Sequence, residues 1–305
     1  MRLTPEQSIP VGGVSTRYFV AGPADAAKVA FLHGGVPGVT PYCSGAHIWG
    51  ASLDAFLADR RVLVPDLAGS GATGIPAHAP LTIESMTQHA AALLEALSFG
   101  PCHLVGHDIG GLVALSLALD MPARVSSVSI IAGGPCAPSG DMVQNLTLAY
   151  PPQPLWTRES QAWALERLSY DHHHIDDAVL DGCVAAAAGA AHRAAAQQLA
   201  GAAYRKVFVP SIGKAKTRFF EVCRQGGVSV PVQVVWAAND PLTSPDQGLW
   251  VFRLIAQRQR ATHYHLVNRA GSLLFREQTE QFHQLVAAFQ DGVMQRASLQ
   301  HSSPV

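Results

Sequence analysis

Short runs of apolar and β-branched residues recur along the chain and alternate with stretches of helical spacing. The strand candidates are VSTRYFVAG, KVAFLHGG, RVLVPDL, CHLVGHD, VSSVSIIAGG, PVQVVWAAND and THYHLVNRAG. Several of them, such as VLVP, SVSII and VQVVW, are nearly continuous in apolar character instead of alternating, as strands buried on both faces should be. Between them, residues 83–98 and 111–120 place apolar side chains at helical spacing. Strands that alternate with helices predict an α/β fold, a mostly parallel central sheet flanked by helices on both faces.

The strand signal stops near residue 137 and resumes at Val230. The intervening segment is rich in Ala, Gln and Arg, with helical runs such as RESQAWALERLSY and DDAVLDGCVAAAAGAAHRAAAQQLAG. The pattern predicts a core built from residues 1–136 and 230–290, an inserted helical cap over 137–229, and a frayed tail over 291–305.

Composition narrows the function. The 305 residues are 48% hydrophobic and 14% charged, with a formal net charge of -1 and no long run of one sign. A core-rich globular protein is expected, and a nucleic-acid partner is not. No apolar stretch reaches the roughly 18 residues of a membrane span, and MRLTPEQSIPVGG lacks the basic and apolar regions of a secretory leader. The expectation is therefore a cytoplasmic protein without a membrane partner. Five widely spaced cysteines without a CxxC pair argue against a disulfide framework or zinc site. Nucleotide and Schiff-base motifs are missing, so no organic cofactor is expected, and no metal is expected because the adjacent His172, His173 and His174 share no helix face and no carboxylate motif completes a site. The expected partner is a small-molecule substrate, with a homodimer as the default guess for oligomeric state.

Four turns carry the chemistry. At Gly106-His107-Asp108-Ile109-Gly110-Gly111 a strand runs directly into a helix, the nucleophile-elbow pattern in which small residues allow a sharp turn that projects one side chain, here Asp108. Leu32-His33-Gly34-Gly35-Val36-Pro37-Gly38 follows an earlier strand and can aim backbone N–H groups into the same cleft, where an oxyanion hole would sit. Asp240 follows a late strand, and Ser272 with Leu273 lies in the loop after the last one.

With these motifs in order, the chain resembles the α/β-hydrolase superfamily, over about residues 15–136 and 230–290. LHGGVPG, RVLVPDLAGSGATG and ANDPLTSPDQGLWVFRLI are similar to the meta-cleavage-product hydrolases, which cut carbon–carbon bonds. Those enzymes carry Ser at the position of Asp108. An Asp there resembles epoxide hydrolases and dehalogenases, whose carboxylate opens an sp³ carbon to form an enzyme ester. The resemblance implies Asp108 as nucleophile, the Gly35 and Ile109 N–H groups as oxyanion hole, Asp240 as the acid, and a catalytic histidine at the position of Ser272. A serine hydroxyl is too weakly basic to replace that imidazole, so the first half-reaction should survive and the second should stall. Ile109 replaces the Trp that supports halide in haloalkane dehalogenases, and the arginine that holds a dienoate carboxylate falls near Cys183.

Among the 14 histidines, His33 and His107 adjoin the motifs and, with Gly34, Tyr150 and Leu273, would line the substrate site. His172, His173 and His174 form a run in the cap. Tyr150, Tyr170 and Tyr204 match the cap tyrosines that protonate a leaving oxygen in epoxide hydrolases, and Trp156 and Trp163 could line the pocket. Three functions follow as expectations: hydrolysis of a small organic substrate through Asp108, non-hydrolytic lyase, isomerase or cyclase chemistry by the Asp108/Asp240 carboxylates, or a small-molecule binding protein that has lost catalysis.

Overall fold

The computed structural model describes residues 5–76, 79–138 and 145–302. Eight strands form one sheet: β1 (Glu6–Val11), β2 (Val14–Ala21), β3 (Ala27–Leu32), β4 (Arg60–Pro65), β5 (Cys102–His107), β6 (Val125–Ile131), β7 (Val232–Ala237) and β8 (Thr262–Val267). Their order is β1-β2-β4-β3-β5-β6-β7-β8. The β1/β2 and β2/β4 pairs are antiparallel and all others are parallel. All six residues of β5 and of β7 are buried, which explains their continuous apolar runs. Alternate side chains of β3 serve two cores: Ala30 and Leu32 face one layer, Val29 and Phe31 the other.

Seven of these strands are legible in the pattern. The eighth, β1, pairs with β2 through a turn at Gly12-Gly13, both at positive φ. Its edge position leaves half its residues exposed and tolerates Pro10, so its apolar signal is weak.

Helix α1 (Ile83–Ala96) starts at a capping box in which Thr82 and Ser85 exchange hydrogen bonds. Helix α2 (Ile109–Asp120) is buried almost all round. It lies between the sheet and a helix contributed by the long insertion.

That insertion, between β6 and β7, carries α3 (Arg158–Arg167), α4 (Asp177–Ala188), α5 (Ala190–Gln198) and α6 (Val209–Gln225), the last entered through a π-helical turn at Tyr204–Phe208. The α3–α5 layer sits over the loops at the C-terminal edge of the sheet. Gln161 Oε1 accepts from Cys43 N at 2.9 Å, and Leu168 O accepts from Ser272 N at 2.8 Å. Helix α6 belongs elsewhere. It packs on α1 and α2, where Ser211 Oγ accepts from Ile83 N (3.0 Å), Lys214 pairs with Glu84 (3.0 Å) and Arg218 with Asp120 (2.6 Å). Residues 139–144, at the start of the expected cap, lie outside the described residues.

After α7 (Pro245–Ala256) and the single turn α8 (Leu274–Glu277), helix α9 runs Thr279–Ser302. The segment from residue 291, expected as a frayed tail, is therefore helical up to Ser302, and 303–305 lie outside the described residues. Asp291 and Gln290 anchor this stretch on the nearly buried Arg60. Such a long-range ion pair leaves no mark in local sequence. Among the described residues no helix is long and apolar enough to cross a membrane.

Candidate active site

Asp108 stands at the end of β5 with φ 49° and ψ -118°, a conformation that costs a non-glycine residue about 1–3 kcal/mol. The surroundings enforce it. Its N–H donates to Ile131 O at 3.1 Å and its C=O accepts from Gly111 N at 3.0 Å. Glycine is required nearby because a Cβ at Gly110 would fall 2.2 Å from Leu32 O, and one at Gly34 would fall 2.6 Å from the Asp108 Cβ. The elbow thus presses its carboxylate against the loop after β3.

Gly35 N donates to Asp108 Oδ2 at 2.9 Å, and the Ile109 N–H lies close enough to the carboxyl to favour its charged form. Burial pushes the Asp108 pKa up, while these two N–H groups pull it down. Of the two donors named from the sequence as an oxyanion hole, Gly35 N therefore faces Oδ2 of Asp108 itself, and Ile109 N contributes to the carboxyl's electrostatics.

Asp240 follows β7. Its Oδ1 accepts from Ser272 Oγ at 2.6 Å, Leu242 N at 3.0 Å and Thr243 N at 3.3 Å. Burial outweighs these bonds and raises its pKa to about 6, and the charge of Asp108 adds to the rise. Ser272 is fixed by its backbone as well: its N–H donates to Leu168 O, and its C=O accepts from His107 Nε2 at 3.0 Å. Among the described residues no histidine nitrogen hydrogen-bonds to Asp108 or Asp240. His33 is held as a neutral ring, with Nε2 accepting from Leu67 N (3.0 Å) and Nδ1 on Gly34 O (2.9 Å). Burial drives the His107 pKa down to about 3, and its ring packs edge-on against Phe275. Both shape the loops around Asp108.

The remaining sequence candidates separate. Tyr150 is 89% exposed and does not line the site, a correction to its expected role. Leu273, expected to line the substrate site, is instead fully buried in the core, a second correction: the final loop turns its side chain inward. Trp156 donates its indole N–H to Thr40 O at 3.0 Å and packs edge-on against His192, fastening the α3–α5 layer to the β3 loop. Tyr170 lies at the surface beneath the Arg269 guanidinium. His172 and His173 are exposed, whereas His174 is buried on Ser169 and Arg276. Tyr204 stands apart from the other tyrosines of the insertion, because burial and the charge of Asp108 both raise its pKa.

Tyr42 is a site residue that the motifs do not reveal. Its phenol is pushed well above the ordinary value by burial and then by Asp108, and its hydroxyl lies beside Gly35. Its position just after the glycine-rich turn was the only available signal. A gap of about 10 Å³, room for about one water, lies among Gly35, Tyr42, Ser44 and His192. Among the described residues no group of three or more His, Cys, Asp or Glu is placed to hold a metal ion.

Residues 29–270 match the alpha/beta hydrolase fold family, and the chain belongs to it. It is similar to a putative carbamate hydrolase RutD from Variovorax paradoxus, 40% identical over 115 residues, 37% of this chain and 41% of that one. It is also 33% identical over 114 residues to a 2-hydroxy-6-oxo-2,4-heptadienoate hydrolase from Pseudomonas putida, covering 37% and 39% of the two chains. These matches span about two fifths of each relative. A longer match, 26% identical and covering 87% of both chains, is to a 2-hydroxy-6-oxononadienedioate/2-hydroxy-6-oxononatrienedioate hydrolase from Cupriavidus pinatubonensis. The solved meta-cleavage product hydrolase from Pseudomonas fluorescens IP01 shares the fold at a TM-score of 0.74 with 22% identity, over 94% of this chain and 97% of that one.

Proposed function

We propose that the protein is a carboxylate-nucleophile hydrolase of a small organic molecule with an electrophilic sp³ carbon, such as an epoxide or a halide, with slow release of the enzyme-bound ester. The observation that carries this reading is the Gly35 N–H bond to Asp108 Oδ2. A serine nucleophile leaves such donors open for a substrate carbonyl. Here the Gly35 N–H holds Oδ2, which leaves Oδ1 to attack. The same N–H then faces the oxygen on which charge develops when water adds to the resulting ester.

In the first step Asp108 Oδ1 forms a bond to the substrate carbon and the leaving group departs with its electron pair. For an epoxide that group is an alkoxide, and Tyr42 and Tyr204, phenols kept protonated by burial and by the charge of Asp108, are the candidate proton donors. In the second step water attacks Cγ and one of its protons passes to the Ser272–Asp240 pair, which returns it to the alcohol oxygen expelled as the tetrahedral adduct collapses. The other proton is lost from Asp108, which returns to a carboxylate, and, for an epoxide, restores the phenol deprotonated in the first step. A carboxylate of pKa about 6 acting through a hydroxyl is a weaker base than imidazole, so the ester accumulates.

Intact-mass measurement after incubation with epoxides, haloacids, haloalkanes and activated esters tests this, followed by turnover in H₂¹⁸O. A stoichiometric adduct on Asp108, with ¹⁸O entering that side chain during turnover, is expected. Product without adduct or label would reject it. That outcome would favour the second reading, acid–base isomerase, lyase or cyclase chemistry, which draws support from the raised pKa of Asp240. Saturable ligand binding with neither adduct nor product would indicate a binding protein.

A further inference from the structure

We infer a second binding site, distinct from Asp108, for a small apolar molecule that carries a carboxylate. A cleft of about 600 Å³ opens between α4 and the core, within the size range of small-molecule sites. Its lining includes none of Asp108, Asp240 or Ser272. It adjoins the small gap beside Gly35 and Tyr42, since Gly71 and Ala186 line both spaces. A ligand in the cleft would thus be a neighbour of the nucleophile without reaching it.

The apolar wall comes from one face of α4, where Gly182, Ala185 and Ala186 lie at helical spacing, continued by Gly189 just past the helix end and opposed by Phe19 and Ala51. Gly182 is needed locally, since a Cβ there would fall 2.6 Å from the His47 ring. The alanines have no such constraint. They leave an unfilled volume that larger side chains would occupy.

The polar end is Arg276, whose side chain is only 7% exposed. Its Nη1 donates to Ile48 O (3.0 Å), its Nη2 to His174 O (2.8 Å) and its Nε to His174 Nδ1 (3.3 Å). A guanidinium has five N–H donors, so two remain, one on each terminal nitrogen. These three acceptors are neutral and do not cancel the charge. The carboxylate of Asp176 lies 3.6 Å away and is itself 59% exposed. Gly50 gives the guanidinium its place, because a Cβ there would fall 2.3 Å from Nη1. Arg17, the other cation of the wall, is held by the fully buried Asp66 at 2.6 Å. The cleft therefore combines an apolar wall with a buried cation whose three short hydrogen bonds go to neutral acceptors and whose one counter-charge, Asp176 on the cleft wall, is largely in solvent and 3.6 Å away, within reach of displacement by a ligand. A carboxylate accepts two such donors side by side and completes the ion pair.

Calorimetric titration of the intact protein with 3-phenylpropanoate and octanoate, against 3-phenylpropan-1-ol and octan-1-ol, tests the inference. Saturable binding of the acids is expected, at least tenfold tighter than that of the alcohols. Arg276→Gln should weaken it at least tenfold and Asp108→Asn should leave it unchanged. Since Arg276 also bonds the backbone, Ala185→Phe serves as the second variant: Ala185 is exposed on α4, and a phenyl ring there fills the cleft and should abolish binding. No saturable binding of either acid, equal affinity for the alcohols, or loss of binding in Asp108→Asn but not in Ala185→Phe would each overturn the proposal.

Discussion

The Ser272 hydroxyl lies 2.6 Å from Asp240 Oδ1 and donates to it. Its proton is thus committed to the acid, and its lone pairs are left to accept a proton from water. Under the proposed mechanism this short hydroxyl link stands where an imidazole would act as base, and it sets the expected bottleneck.

Ser272→His should accelerate breakdown of an Asp108 ester by about 10²–10⁴, the usual range for a positioned general base. Adduct formation should change little. Quenched-flow mass spectrometry of adduct decay separates the two steps, and equal decay in the variant and the parent would contradict the assigned role of Ser272.

Asp240, with its pKa near 6, should govern the pH dependence of that decay. The carboxylate is the active form, so the rate rises as pH increases through about 6 and levels off above it. Asp240→Asn should remove the ionisation and lower the plateau. A decay rate flat between pH 5 and 8 in the parent would count against Asp240 as base.

Gly34→Ala should disrupt the elbow. The added methyl would collide with Asp108 Cβ and with His107 Nδ1, at 2.6 and 2.7 Å. We expect a loss of about 1–3 kcal/mol in stability by urea unfolding. Adduct formation should fall at least about tenfold, because the nucleophile is displaced. A variant with parental stability and reactivity would show that the loop yields without cost.

Stability should decline in mild acid. Burial lowers His47 and His103 to about 4, and His107 and His174 to about 3, from an ordinary 6.5. Below pH 6.5 the unfolded chain takes up protons that these folded rings refuse, so the folding free energy falls as pH drops from about 6.5 towards 4. Asp108, Asp240 and Glu277 act in the opposite sense, since their raised pKa values let the folded state bind protons first. His33, His89, His192 and His265 are also lowered, which makes the histidines more numerous. Urea midpoints at pH 7.0, 5.5 and 4.5 should therefore decrease in that order.

The sequence by itself determined the α/β architecture, seven of the eight strands and the positions of Asp108, Asp240 and Ser272. Buried strands and glycine-dependent turns leave local marks: an apolar run, or a residue type that alone fits a close approach. Tertiary structure decided the rest. It directed the Gly35 N–H at Asp108 and set Ser272 on Asp240. It brought Tyr42 and Tyr204 within the influence of Asp108 while leaving Tyr150 at the surface, and it laid α6 on α1 and α2. It also continued α9 beyond the expected core by seating Asp291 on Arg60. Each of these depends on contacts between segments distant in the chain, whose energies come from burial and pairing that no local window of residues contains.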